Sequence, residues 1–458
     1  MTSDDRTTAR GVSRRDFLVT AAATTAAASV SRPAGAAAPT VFARAAGEPA
    51  VLGGTPVRTA PFPSWPLSDA TEATALRGVL ESGRWNRNSR VDGFESAYAS
   101  LTGAAHCLAV ANGTSALLTA LTALDIGPGD EVILSPYTFI ATVNVILQRH
   151  ALPVFVDTDI ETFQVDATRI AAAITPATRA IVPVHVGGTP ADLDTIIATG
   201  RDRNVPIVED ACQAHLAEWR GRKVGSLGTC GAFSFQASKN LNSGEGGALI
   251  TSDRRLYERA YAYHSANAAL PGTGETSRGV GNNVRLTDFQ AALLTAQMTR
   301  LEAQQSRRDA NAAWLTKELG AVDGITPQRL YPGVTRSAWH LYMFRYDPAG
   351  FGGLSREAFL KALRAEGVPA SSGYRPLYRD PNVVHALASR GYERVYGKAA
   401  LATLTERNAA CPRNDALCDQ AVWLTQTMLL GSQDDMRDIV TAIRKVQAAG
   451  ARLVSSTR

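Results

Sequence analysis

The chain has 458 residues, 45% hydrophobic and 19% charged, with a mean hydropathy of −0.08, the composition of a globular protein and not of a disordered or fibrous one. At one domain per ~150 residues it holds two or three domains, or one large α/β domain with an appendage, and no apolar run reaches the ~18 residues of a spanning helix, which excludes a polytopic membrane protein. The formal charge is +5, but residues 1–45 hold six Arg against three Asp. The other 41 Lys and Arg nearly balance 39 Asp and Glu, so the basic stripe used for nucleic acid is missing.

Residues 1–45 read as a targeting segment. Arg14-Arg15 precedes Asp16-Phe17-Leu18, an Ala-, Thr- and Val-rich stretch follows, and Ala43-Arg44-Ala45 offers a small-x-small cleavage site. This order is that of a twin-arginine leader and predicts export through the twin-arginine machinery to the periplasm or cell envelope. A disordered Ala-rich tail, with a cytoplasmic protein behind it, is the plainer alternative. The five cysteines make no CxxC and no Cys/His cluster, so no metal site is expected. Cys411 and Cys418 are close enough in sequence to pair after export.

Residues 46–67 form an extended arm, because the Pro61–Pro66 stretch is incompatible with a regular helix. Helices are then expected over 68–82, 92–101, 114–124 and 138–149, with a strand over 131–135. The apolar runs 153–157, 180–185 and 206–210 are each separated by helical stretches. Two more, 232–235 and 247–251, flank a Gly-rich loop. Short strands buried on both faces indicate a mostly parallel sheet of about seven strands between helices. A long helix runs from Leu286 to about Leu319, after which Gly and Pro become frequent. The expected organisation is therefore a large α/β domain over 68–320 and a smaller C-terminal α+β domain over 321–458. The latter carries strands at 341–346 and 422–425 and helices at 355–366 and 434–448.

Ligands of an open parallel sheet bind beyond the carboxyl ends of its strands. Asn112-Gly113-Thr114-Ser115 opens a helix there, with free amides and hydroxyls suited to a phosphate, or with no more than an N-cap. Glu209-Asp210 ends an apolar strand and places at least one carboxylate at that edge. Lys239 stands alone in the uncharged stretch 234–247, where desolvation favours the neutral amine that makes Schiff bases. Pro136-Tyr-Thr-Phe139 adds an aromatic. A lysine, an anion-binding helix start, a carboxylate for a ring nitrogen and an aromatic for a ring face together suit pyridoxal 5′-phosphate. No GxGxxG or P-loop pattern competes.

At these residues the chain resembles the DegT/StrS family of pyridoxal-phosphate sugar aminotransferases, of the aspartate aminotransferase fold (fold type I). The resemblance spans about residues 50–450. It is carried by Asn112-Gly-Thr, Pro136-Tyr-Thr-Phe-Ile-Ala-Thr142, Val154-Phe-Val-Asp157, Pro183-Val-His185, Glu209-Asp-Ala-Cys-Gln213, Phe233-Ser-Phe235 with Lys239, Gly244-Glu-Gly-Gly247 and Asn283-Val-Arg285. It implies Lys239 as the Schiff-base lysine, Asp210 as partner of the ring nitrogen, Gln213 near the phenolic oxygen and Phe139 stacked on the ring. Gly113, Thr114, Ser115 and Ser234 fall at the phosphate. Asn283 would reach the phosphate of a neighbouring subunit, which implies a homodimer with shared sites. Trp85, His185, His340 and Tyr374 are the substrate-side candidates, with a buried structural role as the alternative for the two histidines.

The stretch 342–353, with Gly83-Arg-Trp85, resembles the branch that aminates keto-cyclitols such as inososes, often from glutamine. Members acting on nucleotide keto-sugars are nearer the family average. Leu216, where Gly is usual, and Thr229-Cys230, where Gly-Asp is common, depart from the pattern. A related class with His in place of the lysine dehydrates instead, and Lys239 argues against it. The expected activity is ping-pong transfer of an amino group from glutamate or glutamine to a keto-sugar or keto-cyclitol. The rival is an exported, cofactor-retaining sugar-binding or regulatory protein without catalysis.

Overall fold

A computed structural model describes residues 47–274 and 279–456; the leader expected over 1–45 lies outside them. Seven strands make the central sheet: β1 (His106–Val110), β2 (Glu131–Leu134), β3 (Leu152–Phe155), β4 (Thr178–Val182), β5 (Val208–Asp210), β6 (Cys230–Ser234) and β7 (Gly247–Thr251). Their order is β3-β2-β4-β5-β6-β7-β1, with β4 joined to β5 through the parallel bridges Ile181–Ile207 and Val184–Asp210. Only β7 runs antiparallel to its neighbours. The mostly parallel α/β architecture expected from the apolar runs is thus present, with β1 as a strand the pattern reading left out.

Alternate residues of these strands feed two cores. Leu108 and Val110 of β1, Cys230 and Ala232 of β6 and Leu249 of β7 pack with α2 (Gly113–Ala123) and α3 (Ala141–Gln148). Cys107, Ala109, Phe233, Ala248 and Ile250 face the other way, toward α1 (Ser89–Thr102) and α5 (Asp288–Leu319), and α4 (Arg254–His264) lies on the α2 side. This two-sided burial explains why the strands read as continuous apolar runs. Every parallel strand therefore ends at one common edge, with α2 and α3 starting there.

A second, antiparallel sheet has the order β8 (Ile325–Pro327), β9 (Leu341–Tyr346), β11 (Ala421–Thr425), β10 (Ser371–Ser372). Its core takes Ala312, Leu315 and Leu319 from the end of α5 and the apolar face of the helix Gln433–Ala448. Between β10 and β11 the chain returns to the large sheet: Leu377, Tyr378, Leu387, Tyr392 and Leu401 are part of the α2-side core. The buried carboxylate of Glu366 helps to hold the extended arm, accepting from the amides of Ala50 and Val57 and from Lys445 Nζ at 2.8–2.9 Å. Cys411 and Cys418 are free thiols in different cores. No described helix is long and apolar enough to cross a membrane, and no metal-binding cluster occurs among the described residues.

Candidate active site

The strand period of two gives the neighbouring carboxylates of β5 opposite surroundings. Glu209 is fully buried and accepts from the amides of Gly225, Leu227 and Gly228 at 2.6–2.8 Å and from His185 Nε2 at 3.0 Å. Its oxygens are spent on holding the loop before β6. Asp210 faces the carboxyl edge: Oδ2 accepts the Thr142 hydroxyl at 2.8 Å and Oδ1 the Cys212 amide at 3.2 Å. Thr142 sits in the first turn of α3, so the helix that follows β2 orients the acid that ends β5.

Lys239 lies in the loop between β6 and β7, which closes on itself through Phe235 N–H to Gly246 O at 2.7 Å and Ala237 N–H to Gly244 O at 2.8 Å. The lysine is half-buried. Desolvation holds its pKa below the ordinary 10.5, against the opposing pull of Cys212 and Asp210 nearby. Its amine donates to no group among the described residues, so the fold builds an amine available for chemistry beside an acid. His340 is buried next to it, with Nδ1 3.2 Å from Asn240 Oδ1, and burial followed by the charge of Lys239 keeps its pKa well below 6.5.

At the start of α2 the Asn112 side chain accepts the Ser115 amide at 2.8 Å, so Asn112 is the N-cap. The amides of Gly113 and Thr114 stay free of side-chain caps. A Cβ on Gly113 would stand 2.7 Å from Ser234 Cβ and 2.8 Å from Cys212 Sγ, and only glycine lets the helix start come this close to β6. Ser234 is buried, and its carbonyl accepts His215 Nε2–H at 2.8 Å, while His215 Nδ1 accepts the Tyr98 hydroxyl at 2.9 Å. Gln213 Oε1 accepts the Gly187 amide at 2.8 Å, and Nε2 donates to the Tyr374 hydroxyl at 2.9 Å. Phe139, just ahead of α3, keeps 57% of its surface exposed.

The structure therefore brings Gly113, Thr114, Ser115, Phe139, Asp210, Gln213, Ser234 and Lys239 to one edge, with His340 and Tyr374 beside them. His185 is corrected: it has no exposed surface, its Nδ1 accepts the Ala191 amide at 3.1 Å and its Nε2 donates to Glu209, which leaves neither nitrogen for a substrate. Trp85, 53% exposed, has its ring 5.8 Å from that of Phe289 at the start of α5, tilted to it by 52°. Asn283 is exposed on a segment that bridges to Ser265. Neither side chain hydrogen-bonds to the residues around Lys239. Thr142 and His215 are the residues the sequence reading assigned no role. Thr142 closes one quoted motif, in the first turn of α3, and His215 stands two positions after the end of another, where an edge-facing polar group could have been noticed.

Residues 66–444 match the model of the DegT/DnrJ/EryC1/StrS aminotransferase family. The chain belongs to this family. It is 38% identical over 414 residues to L-glutamine:2-deoxy-scyllo-inosose aminotransferase of Streptoalloteichus tenebrarius, covering 87% of this chain and 97% of the relative. It is 36% identical over 384 residues to 3-amino-5-hydroxybenzoate synthase of Amycolatopsis mediterranei, covering 83% and 96%. The crystal structure of a 3-amino-5-hydroxybenzoic acid synthase superposes with a TM-score of 0.75 at 35% identity, over 85% of this chain and all of the other. This member of the DegT/DnrJ/EryC1/StrS family is an aminotransferase.

Proposed function

We propose that the chain is a pyridoxal-phosphate-dependent aminotransferase that moves the amino group of glutamine, or of glutamate, to a keto-cyclitol. The observation that carries this reading is the unpaired, desolvated amine of Lys239 beside Asp210 at the carboxyl edge of the sheet. The residues present suit the cofactor. The amides of Gly113 and Thr114, the Thr114 and Ser115 hydroxyls and buried Ser234 form a cradle for a phosphate. Asp210, with only two donors, has lone-pair capacity left for a protonated ring nitrogen. The exposed face of Phe139 offers a surface for the ring. When bound, pyridoxal phosphate supplies an aldehyde that takes up the amino group and a ring that receives the electrons released at carbon. Lys239 would hold the cofactor, then move a proton as a free amine once the donor has displaced it. Asp210 would keep the ring nitrogen protonated.

The keto-cyclitol acceptor is supported by the similarity to an enzyme named for glutamine and 2-deoxy-scyllo-inosose and by the stretch 342–353 noted above. We also propose a homodimer in which Asn283, exposed on the single chain, meets the partner's cofactor phosphate. Export is likewise a proposal, supported by Arg14-Arg15 and the order of features behind it. If Arg14 and Arg15→Lys left cellular fractionation unchanged, export by this route would be refuted.

Purified protein incubated with glutamine and a panel of inososes and nucleotide keto-sugars should lose the visible absorption of its cofactor with glutamine and regain it with an inosose. Borohydride should bleach the colour and leave the cofactor covalently attached in wild type, and not in Lys239→Ala. Absence of any exchange with every donor would favour the non-catalytic, cofactor-retaining alternative.

A further inference from the structure

The Gly187 amide can only donate, so the oxygen of the Gln213 amide must face it, at 2.8 Å, and the Nε2 end is thereby aimed at Tyr374. One Nε2 hydrogen goes to the Tyr374 hydroxyl at 2.9 Å. The tyrosine oxygen is then an acceptor, and its own proton is free for a second partner. A second Nε2 hydrogen is free as well. Two donors from opposite parts of the fold, one after β5 and one after β10, thus converge on one position.

The loop carrying Tyr374 is rigidly placed. A Cβ on Gly373 would collide with the Tyr137 hydroxyl. The Tyr374 ring lies 5.4 Å from Tyr137 and 4.6 Å from Trp423, edge-on to both, and Trp423 Nε1 donates to the Tyr137 hydroxyl at 3.2 Å. The charged and titratable groups that face it are Asp210 and Cys212 from the end of β5 and Tyr137 from the loop after β2. The hydroxyl therefore enters the same edge that holds Asp210 and Lys239. Burial, opposed by the bond from Gln213, keeps the phenol protonated far above its ordinary range, so it acts as a donor at any working pH.

We propose that Tyr374 is a positioning residue for the cofactor: with Gln213 it donates to the phenolic oxygen of pyridoxal phosphate and sets the pH at which the Lys239 Schiff base loses its proton. This rests on the pyridoxal-phosphate reading above. The sign follows from where the charge sits. Negative charge on the phenolic oxygen would be fullest once the Schiff base has lost its proton. Donors at the oxygen therefore favour the deprotonated form, and removing one should raise the midpoint.

The test is a spectrophotometric pH titration of the cofactor in wild type, Tyr374→Phe and Gln213→Asn, whose shortened amide cannot bridge Gly187 and Tyr374. Tyr374→Phe should keep a borohydride-fixable cofactor and raise the midpoint by about 1 pH unit, a tenfold change in proton affinity. Gln213→Asn should shift it in the same direction, which keeps the test open if the phenylalanine variant does not fold. A merely structural tyrosine would lower the thermal midpoint and leave the pH midpoint in place, and that result overturns the proposal. A wild-type protein that binds no reducible cofactor would overturn it together with the reading beneath it, whereas a coloured wild type with an unshifted Tyr374→Phe overturns the role of Tyr374 alone.

Discussion

His185 Nε2 lies 3.0 Å from Glu209 Oε2, and neither side chain has exposed surface. The pair ties the turn after β4 to the loop before β6, with three amides completing the carboxylate. Removing the histidine takes one of four donors from a buried carboxylate, a loss of about 1.5–3 kcal/mol. His185→Ala should therefore unfold at clearly lower urea, while kcat/KM measured well below the transition stays near wild type. A large loss of kcat/KM at unchanged stability would return His185 to the substrate side.

The Thr142 hydroxyl on Asp210 Oδ2 is a hydrogen bond to an ionised group, a kind worth about 1.5–3 kcal/mol. Thr142→Val keeps the volume and removes the donor, so the half-reaction with glutamine should slow by about ten- to a hundredfold. Asp210→Ala should slow it much further. Stopped-flow measurement of both rates checks the order, and equal rates for Thr142→Val and wild type would show that Asp210 needs no support from α3.

Leu216 has φ of 64°, in the left-handed region that favours glycine. That conformation costs a residue with a Cβ about 1–2 kcal/mol. Yet Leu216 is buried in the α1-side core, and deleting a buried leucine costs about 2–5 kcal/mol. The packing gain outweighs the strain. Leu216→Gly should lower the denaturant midpoint even though it relaxes the backbone, and an increase would mean that strain dominates.

Three buried histidines, His215, His264 and His340, make the fold sensitive to acid. Burial pushes His215 and His264 down from 6.5 to about 4. Between these values the unfolded chain binds protons that the folded chain refuses, so stability is complete above pH 6.5 and falls as pH drops toward 4. Each histidine contributes about 1.4 kcal/mol per pH unit in that window. Unfolding free energies should decline between pH 6.5 and 4, and His215→Gln should flatten part of the slope.

What the sequence by itself determined is local or covalent in origin. The two-sided apolar runs announced β2 to β7, since a strand covered on both faces has no polar alternation to hide it. The lone Lys239 and the acid-ended strand 206–210 marked the chemistry, because charge in such surroundings is costly and is kept for a purpose. The glycine of Asn112-Gly113 read as a helix start, and it is one. The tertiary structure decided what depends on partners distant in the chain. No local rule of periodicity or propensity applied to Glu209-Asp210 says which carboxylate meets the ligand edge, although the family resemblance points to Asp210. The strand's register decides it, by turning Glu209 toward residues 225–228 and Asp210 toward Thr142. His185 and His340 look alike in sequence, and only packing closes both nitrogens of the first while setting the second beside Lys239. The bond from Gln213 to Tyr374 spans 161 residues, and no local rule of periodicity or propensity reaches that far.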